Sequence, residues 1–379
     1  MTIAEPIYLD CNATTPIEPE VFELMSHYFQ VEYGNAGSRT HRYGSAAAQA
    51  VRKAREQVAA VVAASWENVI FTSGATESNN LAILGLAPQA ENLCRRHIIS
   101  TQIEHKAVLE PLQALARRGF EVTLLPPSRG GYVDAEQIRA ALRPDTALVS
   151  VMQANNETGI LQPLAEIAAA LEGHDAVLHT DAAQGFGKEL ESLRSGRVDL
   201  ISVSAHKIFG PKGVGALIVR QNQRTAGLVP LCFGGGQERG LRPGTVAVPL
   251  VVGLGLAAEI AVRDLSARRK KCLAFRTELL SALAPLQPIV VGDADRGMPH
   301  VVSLCFGDID SEAIMLALRD VISISNGSAC TSTTYQPSHV LKAMGLSDSA
   351  AQAATRWSWC HLTPSPAWAD VEKQIVALY

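Results

Sequence analysis

The sequence lacks the features that would place a chain in a membrane, on nucleic acid or outside the cell. No apolar run among its 379 residues reaches the ~20 residues that a membrane-spanning helix requires. Its first residues, Met1-Thr-Ile-Ala-Glu-Pro6, have neither the basic stretch nor the apolar core of a secretory signal. The net charge is only −4, so bulk electrostatics give no reason to expect direct nucleic-acid or membrane binding. Seven cysteines are scattered at 11, 94, 232, 272, 305, 330 and 360, an odd number with no Cys-x-x-Cys pair. That pattern supports neither a disulfide framework nor a zinc site and fits a reducing cytoplasm. No Gly-x4-Gly-Lys-Ser/Thr run occurs, which removes a Walker A loop. Internal repeats and low-complexity tracts are also missing.

What remains is an ordinary globular composition, 47% hydrophobic and 18% charged, with enough length for two domains and a large core. A short strand at Tyr8 runs into a polar turn that ends at Pro16. Helices are expected over Glu18–Gln30 and Tyr43–Ala64. From Val69 the chain alternates between strand-like and helix-like runs. Strands are predicted at Val69–Thr72, His97–Thr101, Glu121–Leu125, Ala147–Met152, Ala176–Thr180, Leu200–Ser204 and Gly215–Arg220. Amphipathic helices fall between several of them, at Lys106–Arg118, Asp134–Leu142 and Leu164–Glu172. Such alternation argues for an α/β domain with a mostly parallel seven-stranded sheet and helices on both faces. A long helix from Pro249 to Leu283 is expected to lead into a smaller α+β domain. That domain has its own strands at Ile289–Gly292 and His300–Phe306 and a helix at Ser311–Arg319. The expected division is residues 16–259 for the large domain, and residues 1–15 with 260–379 for the small one.

The most informative stretch is Ser204-Ala-His-Lys-Ile-Phe-Gly-Pro-Lys-Gly-Val-Gly-Ala-Leu217. It reads as a strand end, a lysine, a glycine-rich turn and another strand. A lysine beside such a turn is ordinarily a surface residue. At the mouth of a buried strand, however, its ammonium is penalised by desolvation. A neutral amine there can form a Schiff base with a carbonyl. Other polar segments also follow predicted strands, where open α/β sheets bind ligands. They are Thr72-Ser-Gly-Ala-Thr-Glu-Ser78, Thr101-Gln-Ile-Glu-His-Lys106, Ala154-Asn-Asn-Glu-Thr-Gly159 and His179-Thr-Asp-Ala-Ala-Gln-Gly185. The first should open a helix and present the N–H groups of Gly74, Ala75 and Thr76 to an anion. Read by themselves, the four are a capped helix start, a lone histidine, an Asn-rich turn and an aspartate in a turn. Cys330, in Ser325-Asn-Gly-Ser-Ala-Cys-Thr-Ser-Thr-Thr334, has small polar neighbours and should be exposed, as a reactive thiol must be. The other six cysteines lack that context.

Together these segments resemble the cysteine desulfurases of the class V aminotransferase superfamily, which are fold type I pyridoxal phosphate enzymes. The likeness runs from Tyr8 to Arg356. It implies that Lys207 binds pyridoxal 5'-phosphate and later shuttles the proton at the substrate Cα. It implies that His105 lies over the cofactor ring and moves protons, and that Asp181 sits beneath the pyridine nitrogen and keeps it protonated. Asn156 and Gln184 would reach the phenolic oxygen. Ala75, Thr76, Ser204 and His206 would hold the phosphate. Thr245, in Arg242-Pro-Gly-Thr245, would reach the phosphate of a neighbouring subunit in a homodimer. Arg356 would grip the carboxylate of L-cysteine. Cys330 would take the sulfur as a persulfide, in a long loop of the group I type, and should rest away from the Lys207 amine when no substrate is bound. The chain departs from the family at Cys360 and His361, where a glycine and a basic residue are common. A selenocysteine lyase, another class V enzyme and a non-catalytic interaction subunit are the rival readings. The sulfur acceptor is left open between an iron–sulfur scaffold, tRNA thiolation and DNA phosphorothioation. The short stretch after Arg356 points toward a specialised pathway such as the last.

Overall fold

The computed structural model describes residues 5–326 and 337–379. Seven strands form the main sheet: β2 (Val69–Thr72), β3 (His97–Thr101), β4 (Glu121–Leu125), β5 (Thr146–Ser150), β6 (Val177–Asp181), β7 (Leu200–Ser204) and β8 (Gly215–Val219). Their order across the sheet is β2-β8-β7-β6-β5-β3-β4. All neighbours are parallel except β8, which is antiparallel to both β7 and β2. Because β8 is reversed relative to both, β2 runs in the same direction as β7. Gly215 at the start of β8 pairs with Thr72 on one side and Ser204 on the other. The carboxyl ends of six strands therefore open onto one edge. A mostly parallel sheet of seven strands is what the strand pattern predicts, and each predicted strand lies within two residues of an observed one.

Alternation along each strand explains the layering. Ile99, Val149, Leu178, Ile201 and Ile218 face one core, packed under helices Pro19–Gln30, Arg42–Val61 and Val248–Arg263. Their neighbours Ile98, Leu148, Val177, Leu200 and Leu217 face the other, under helices Ala75–Asn92 and Lys106–Arg117. A third core collects around Trp357, Trp359, Phe275 and Leu9. It packs on a small sheet of β9 (Ile289–Val290), β10 (Val301–Cys305) and β12 (Ala354–Ser358), in which β10 is central. The N-terminal strand β1 (Ile7–Tyr8) joins this region by pairing with β11 (Ile322–Ser323).

The single long helix expected after Pro249 is two helices, Val248–Arg263 and Leu265–Leu283. The break is at Asp264, whose ψ of 6° leaves the helical range. Its carboxylate is drawn back onto Arg263, at 2.9 Å. Among the described residues no helix is long and apolar enough to cross a membrane.

The amino ends of the strands are closed by a buried charge network. Asp199 is fully buried and accepts from Arg197 and Arg224, each at 2.6 Å, from Asn222 at 2.8 Å and from the Leu178 amide at 2.9 Å. Asp199→Ala would leave two half-buried guanidinium groups without their common anion. It should lower unfolding stability by roughly 3 kcal/mol or more, checked by the urea midpoint of the variant against the parent.

Candidate active site

The open edge of the sheet holds a cavity of about 850 Å³. Ten of the twelve residues singled out from the sequence line it: Ala75, Thr76, His105, Asn156, Asp181, Gln184, Ser204, His206, Lys207 and Arg356. Thr245 does not line it; it sits in an exposed loop ahead of helix Val248–Arg263. Cys330, and with it the expected resting position of its sulfur, lies outside the described residues.

One wall is the turn after β2. Gly215 has no room for a side chain, since a Cβ there would meet the Val203 carbonyl oxygen at 2.3 Å and Gly74 Cα at 2.7 Å. This close approach seats the Gly74 turn directly over the start of β8. Helix Ala75–Asn92 then begins without a side-chain cap on its first amides. Those N–H groups are available to an anion. Glu77 is committed elsewhere, accepting from the Ser73 amide at 2.7 Å and from Arg242 at 2.9 Å. The Arg242 contact fastens the Thr245 loop beside this wall. A second anchor is Glu238, which pairs with Arg55 and accepts the Phe71 amide at 2.8 Å.

Asp181 ends β6 and is 6% exposed. It accepts from Asn79 Nδ2 at 2.6 Å and from the Ala183 amide at 2.9 Å. Both are neutral donors, so neither of these partners offsets a negative charge on this buried wall. Across the cavity, His105 caps helix Lys106–Arg117, and its Nδ1 accepts the Ala107 amide at 3.1 Å. In the neutral ring that bond places the proton on Nε2. His206 follows β7 and shares a 3.2 Å contact with Thr14 Oγ1. Desolvation, then the charges of Lys207, Lys212 and Lys188, push its pKa down to about 4, so it is neutral.

The Lys207 amine donates to the carbonyl oxygens of Asn12 and Ala13, the second at 2.9 Å. Asn12 was missed by the sequence reading, yet it joins much of the site. Its amide N–H goes to Ser358 Oγ at 2.9 Å and its Nδ2 to the Asn156 carbonyl at 3.1 Å. Its own carbonyl also takes Gln184 Nε2 at 3.0 Å. A primary amide has a second N–H, so Gln184 retains a donor for another acceptor. Arg356 was expected to serve a substrate carboxylate. It is 3% exposed, and its contacts include Asp10 at 2.5 Å and the Asn156 carbonyl at 3.0 Å. A substrate carboxylate would join an existing ion pair there.

Two carboxyl groups were also passed over, although both lie in quoted motifs. Glu104 precedes His105 and is fully buried. Its Oε1 accepts from Thr101 Oγ1 at 2.8 Å and from the Met152 amide at 2.9 Å. Burial pushes its pKa up to about 8. Glu157 follows Asn156 and is raised by burial as well, while accepting from Ser338 Oγ. The signal for both was a glutamate directly beside a candidate site residue at a strand end. Of the six cysteines set aside from the sequence, Cys94 and Cys232 are in fact exposed.

The residues fit pyridoxal phosphate. A buried carboxylate suits a cationic ring nitrogen, uncapped amides suit a phosphate, and the second Gln184 N–H suits a phenolic oxygen. The aminotransferase class-V family profile matches residues 7–365. The cysteine desulfurase IscS of Anaeromyxobacter dehalogenans is 46% identical over 356 residues, 93% of this chain and 87% of that one. The chain belongs to the class-V aminotransferase family, among its cysteine desulfurases. The Homo sapiens cysteine desulfurase is 43% identical over 94% of this chain and 78% of its own length. Among solved structures, a NifS-like protein superposes with a TM-score of 0.89 at 37% identity, covering 98% of both chains. DndA from Streptomyces lividans gives 0.82 at 47% identity, covering 93% of this chain and 98% of its own.

The raised pKa of Glu104 has a thermodynamic sign. The folded protein holds a proton on Glu104 between the ordinary carboxylate pKa and about 8, where the unfolded chain has lost it. Stability from this group is full below that range and is lost as pH rises through it. Glu104→Gln removes the ionisation while nearly keeping the shape of the protonated side chain. Relative to the parent, it should gain up to about 1.4 kcal/mol per pH unit across that range, read from denaturation midpoints at pH 5 and pH 8.

Proposed function

We propose that this chain is a pyridoxal phosphate-dependent cysteine desulfurase. It converts L-cysteine to L-alanine and leaves the sulfur on Cys330 as a persulfide for an acceptor protein. The observation that carries this reading is one cavity lined by Lys207, Asp181, His105 and the uncapped start of helix Ala75–Asn92. The 46% identity to a cysteine desulfurase over 93% of the chain supports the choice of substrate.

When bound, the cofactor supplies an electron sink for charge that develops at the substrate Cα. Lys207 would hold it covalently through its amine, and Asp181 would hold the proton on its ring nitrogen. Amides at Ala75 and Thr76, with Ser204 and neutral His206, would bind its phosphate. Asn156 and Gln184 would face its phenolic oxygen. Once substrate displaces the Lys207 amine, Nζ is a base able to take the Cα proton. His105, with its proton on Nε2, is placed to move a second one. Arg356 would orient the substrate carboxylate. The Cys330 thiolate attacks the substrate sulfur, so Cys330–SH and cysteine become Cys330–S–SH and alanine.

The wider reading is a cytoplasmic homodimer. Thr245 is exposed and absent from its own cavity, as a residue serving a neighbour's phosphate would be. Residues 16–259 form the proposed large domain, and residues 1–15 with 260–379 the small one. The separate core around Trp357 and Trp359 supports that division. The 47% likeness to DndA favours DNA phosphorothioation over the other acceptor pathways.

Two variants test the assignment. Lys207→Ala should lose the visible absorption of lysine-linked pyridoxal phosphate and all alanine formation; retention of that absorption would overturn the role of Lys207. Cys330→Ser should keep the absorption and lose alanine formation by at least ~100-fold, a displacement of at least 2.7 kcal/mol in the barrier. Parental rates from Cys330→Ser would remove Cys330 as the sulfur acceptor.

A further inference from the structure

Behind the Lys207 wall is a second cluster of nucleophilic side chains that the desulfurase reading does not use. Cys11 and Cys360 pack together with Phe209 in a small apolar group. The backbone brings their segments together, with the Cys11 amide donating to the Ser358 carbonyl at 3.0 Å two residues before Cys360. Cys360 accepts from Thr363 Oγ1 at 3.5 Å. A cavity of about 50 Å³ adjoins them, and its lining includes Lys188, Cys272 and His300. The Lys188 amine approaches His300 Nε2 at 3.2 Å, and desolvation pushes its pKa down to about 8. Cys360 is also one of the two positions at which this chain departs from the desulfurase pattern.

We propose that Cys11 and Cys360 are a redox modification site, oxidised by hydrogen peroxide to a reversible disulfide.

Three features of the site support this. The two side chains already pack in one cluster, and their chain segments are already hydrogen-bonded to each other. The cavity has room for a molecule little larger than water, which occupies ≈30 Å³ in the liquid. Both cysteines line it, so a peroxide molecule entering it meets them. Cys360 is the nucleophile of the pair. The Thr363 hydroxyl donates to the Cys360 sulfur at 3.5 Å, which favours a thiolate there. Lys188 adds a cation nearby when protonated.

The chemistry balances. The Cys360 thiolate attacks one peroxide oxygen, the O–O bond breaks, and hydroxide leaves, giving Cys360 sulfenic acid. The Cys11 sulfur then attacks the Cys360 sulfur, the S–O bond breaks, and the Cys11 proton leaves with the oxygen as water. Two thiols lose two electrons in all, and one peroxide becomes two waters. A dithiol reductant reverses the bond by exchange.

The linkage would lie directly beneath the catalytic wall. Cys11 donates its amide to the Ser358 carbonyl at 3.0 Å, and the next residue, Asn12, supplies a carbonyl to the Lys207 amine. The disulfide would tie this N-terminal segment to the chain just beyond β12.

The test is a peptide map of the holoenzyme after peroxide treatment, with free thiols alkylated in acid before digestion. The expected result is a peptide pair joining Cys11 to Cys360, lighter than the separate peptides by two hydrogens and released by dithiothreitol. The pair should persist in Cys272→Ser and vanish in Cys360→Ser. Cys360→Gly, which restores the residue common in the family, is the second variant should the serine protein fail to fold. Recovery of Cys11 and Cys360 as free thiols after the exposed Cys94 and Cys232 are fully oxidised would overturn the proposal. So would a peptide pair joining Cys11 to Cys272 instead.

Discussion

The carbonyl oxygens of Asn12 and Ala13 hold the Lys207 amine, and most of the site depends on that contact. Lysine side chains at a cavity wall have several rotamers and lose entropy on being fixed. Two acceptors on a rigid segment restrict that freedom. The segment is rigid because it is itself held from several directions. Ser358 takes the Asn12 amide, and Thr15 exchanges hydrogen bonds with the chain around Lys207. Gln184 and Asn156 are fastened to the same residue. One short loop thereby sets the relative position of groups from four different parts of the chain.

Around that loop, burial disfavours the charged forms of several titratable groups. His206 and His179 are both held neutral, the latter with a pKa near 3 between Ser150 and Ser202. Glu104 and Glu157 keep their protons more strongly than exposed carboxyl groups would. Asp199 is charged and buried, but it sits at the far end of the strands among arginines. The cavity wall at Asp181 is different, because its donors there are an amide side chain and a backbone N–H. A carboxylate held by neutral donors is suited to a positive group arriving from outside.

Much of this was legible in the sequence, and the reasons differ by element. The strands were found because their apolar runs are bounded by turn residues and are buried on both faces. The cavity was found because its residues follow strands, as the parallel topology requires. Asn12 was not found, since its part depends on Ser358 and Lys207, hundreds of residues away. Glu104 and Glu157 were hidden beside residues with more familiar chemistry. The break at Asp264 escaped because neither glycine nor proline marks it; the Arg263–Asp264 side-chain pair found there carries no breaker signal in the sequence. The Cys11–Cys360 contact joins the two ends of the described chain, and no local pattern reports it.

The N-terminal strand pairs with β11, and Asn12 bonds to Ser358 across a separation of 346 residues. This has a consequence for the order in which a ribosome delivers the chain. The seven strands of the main sheet are all made by Val219 and can pair while synthesis continues. The lysine is made by then as well, but the segment that holds it is not yet fixed. Its docking strands, β11 and β12, emerge more than a hundred residues later. The sheet can thus be nearly built on a nascent chain whose Lys207 still lacks its partners. Completion of the site becomes the final act of folding rather than an early one.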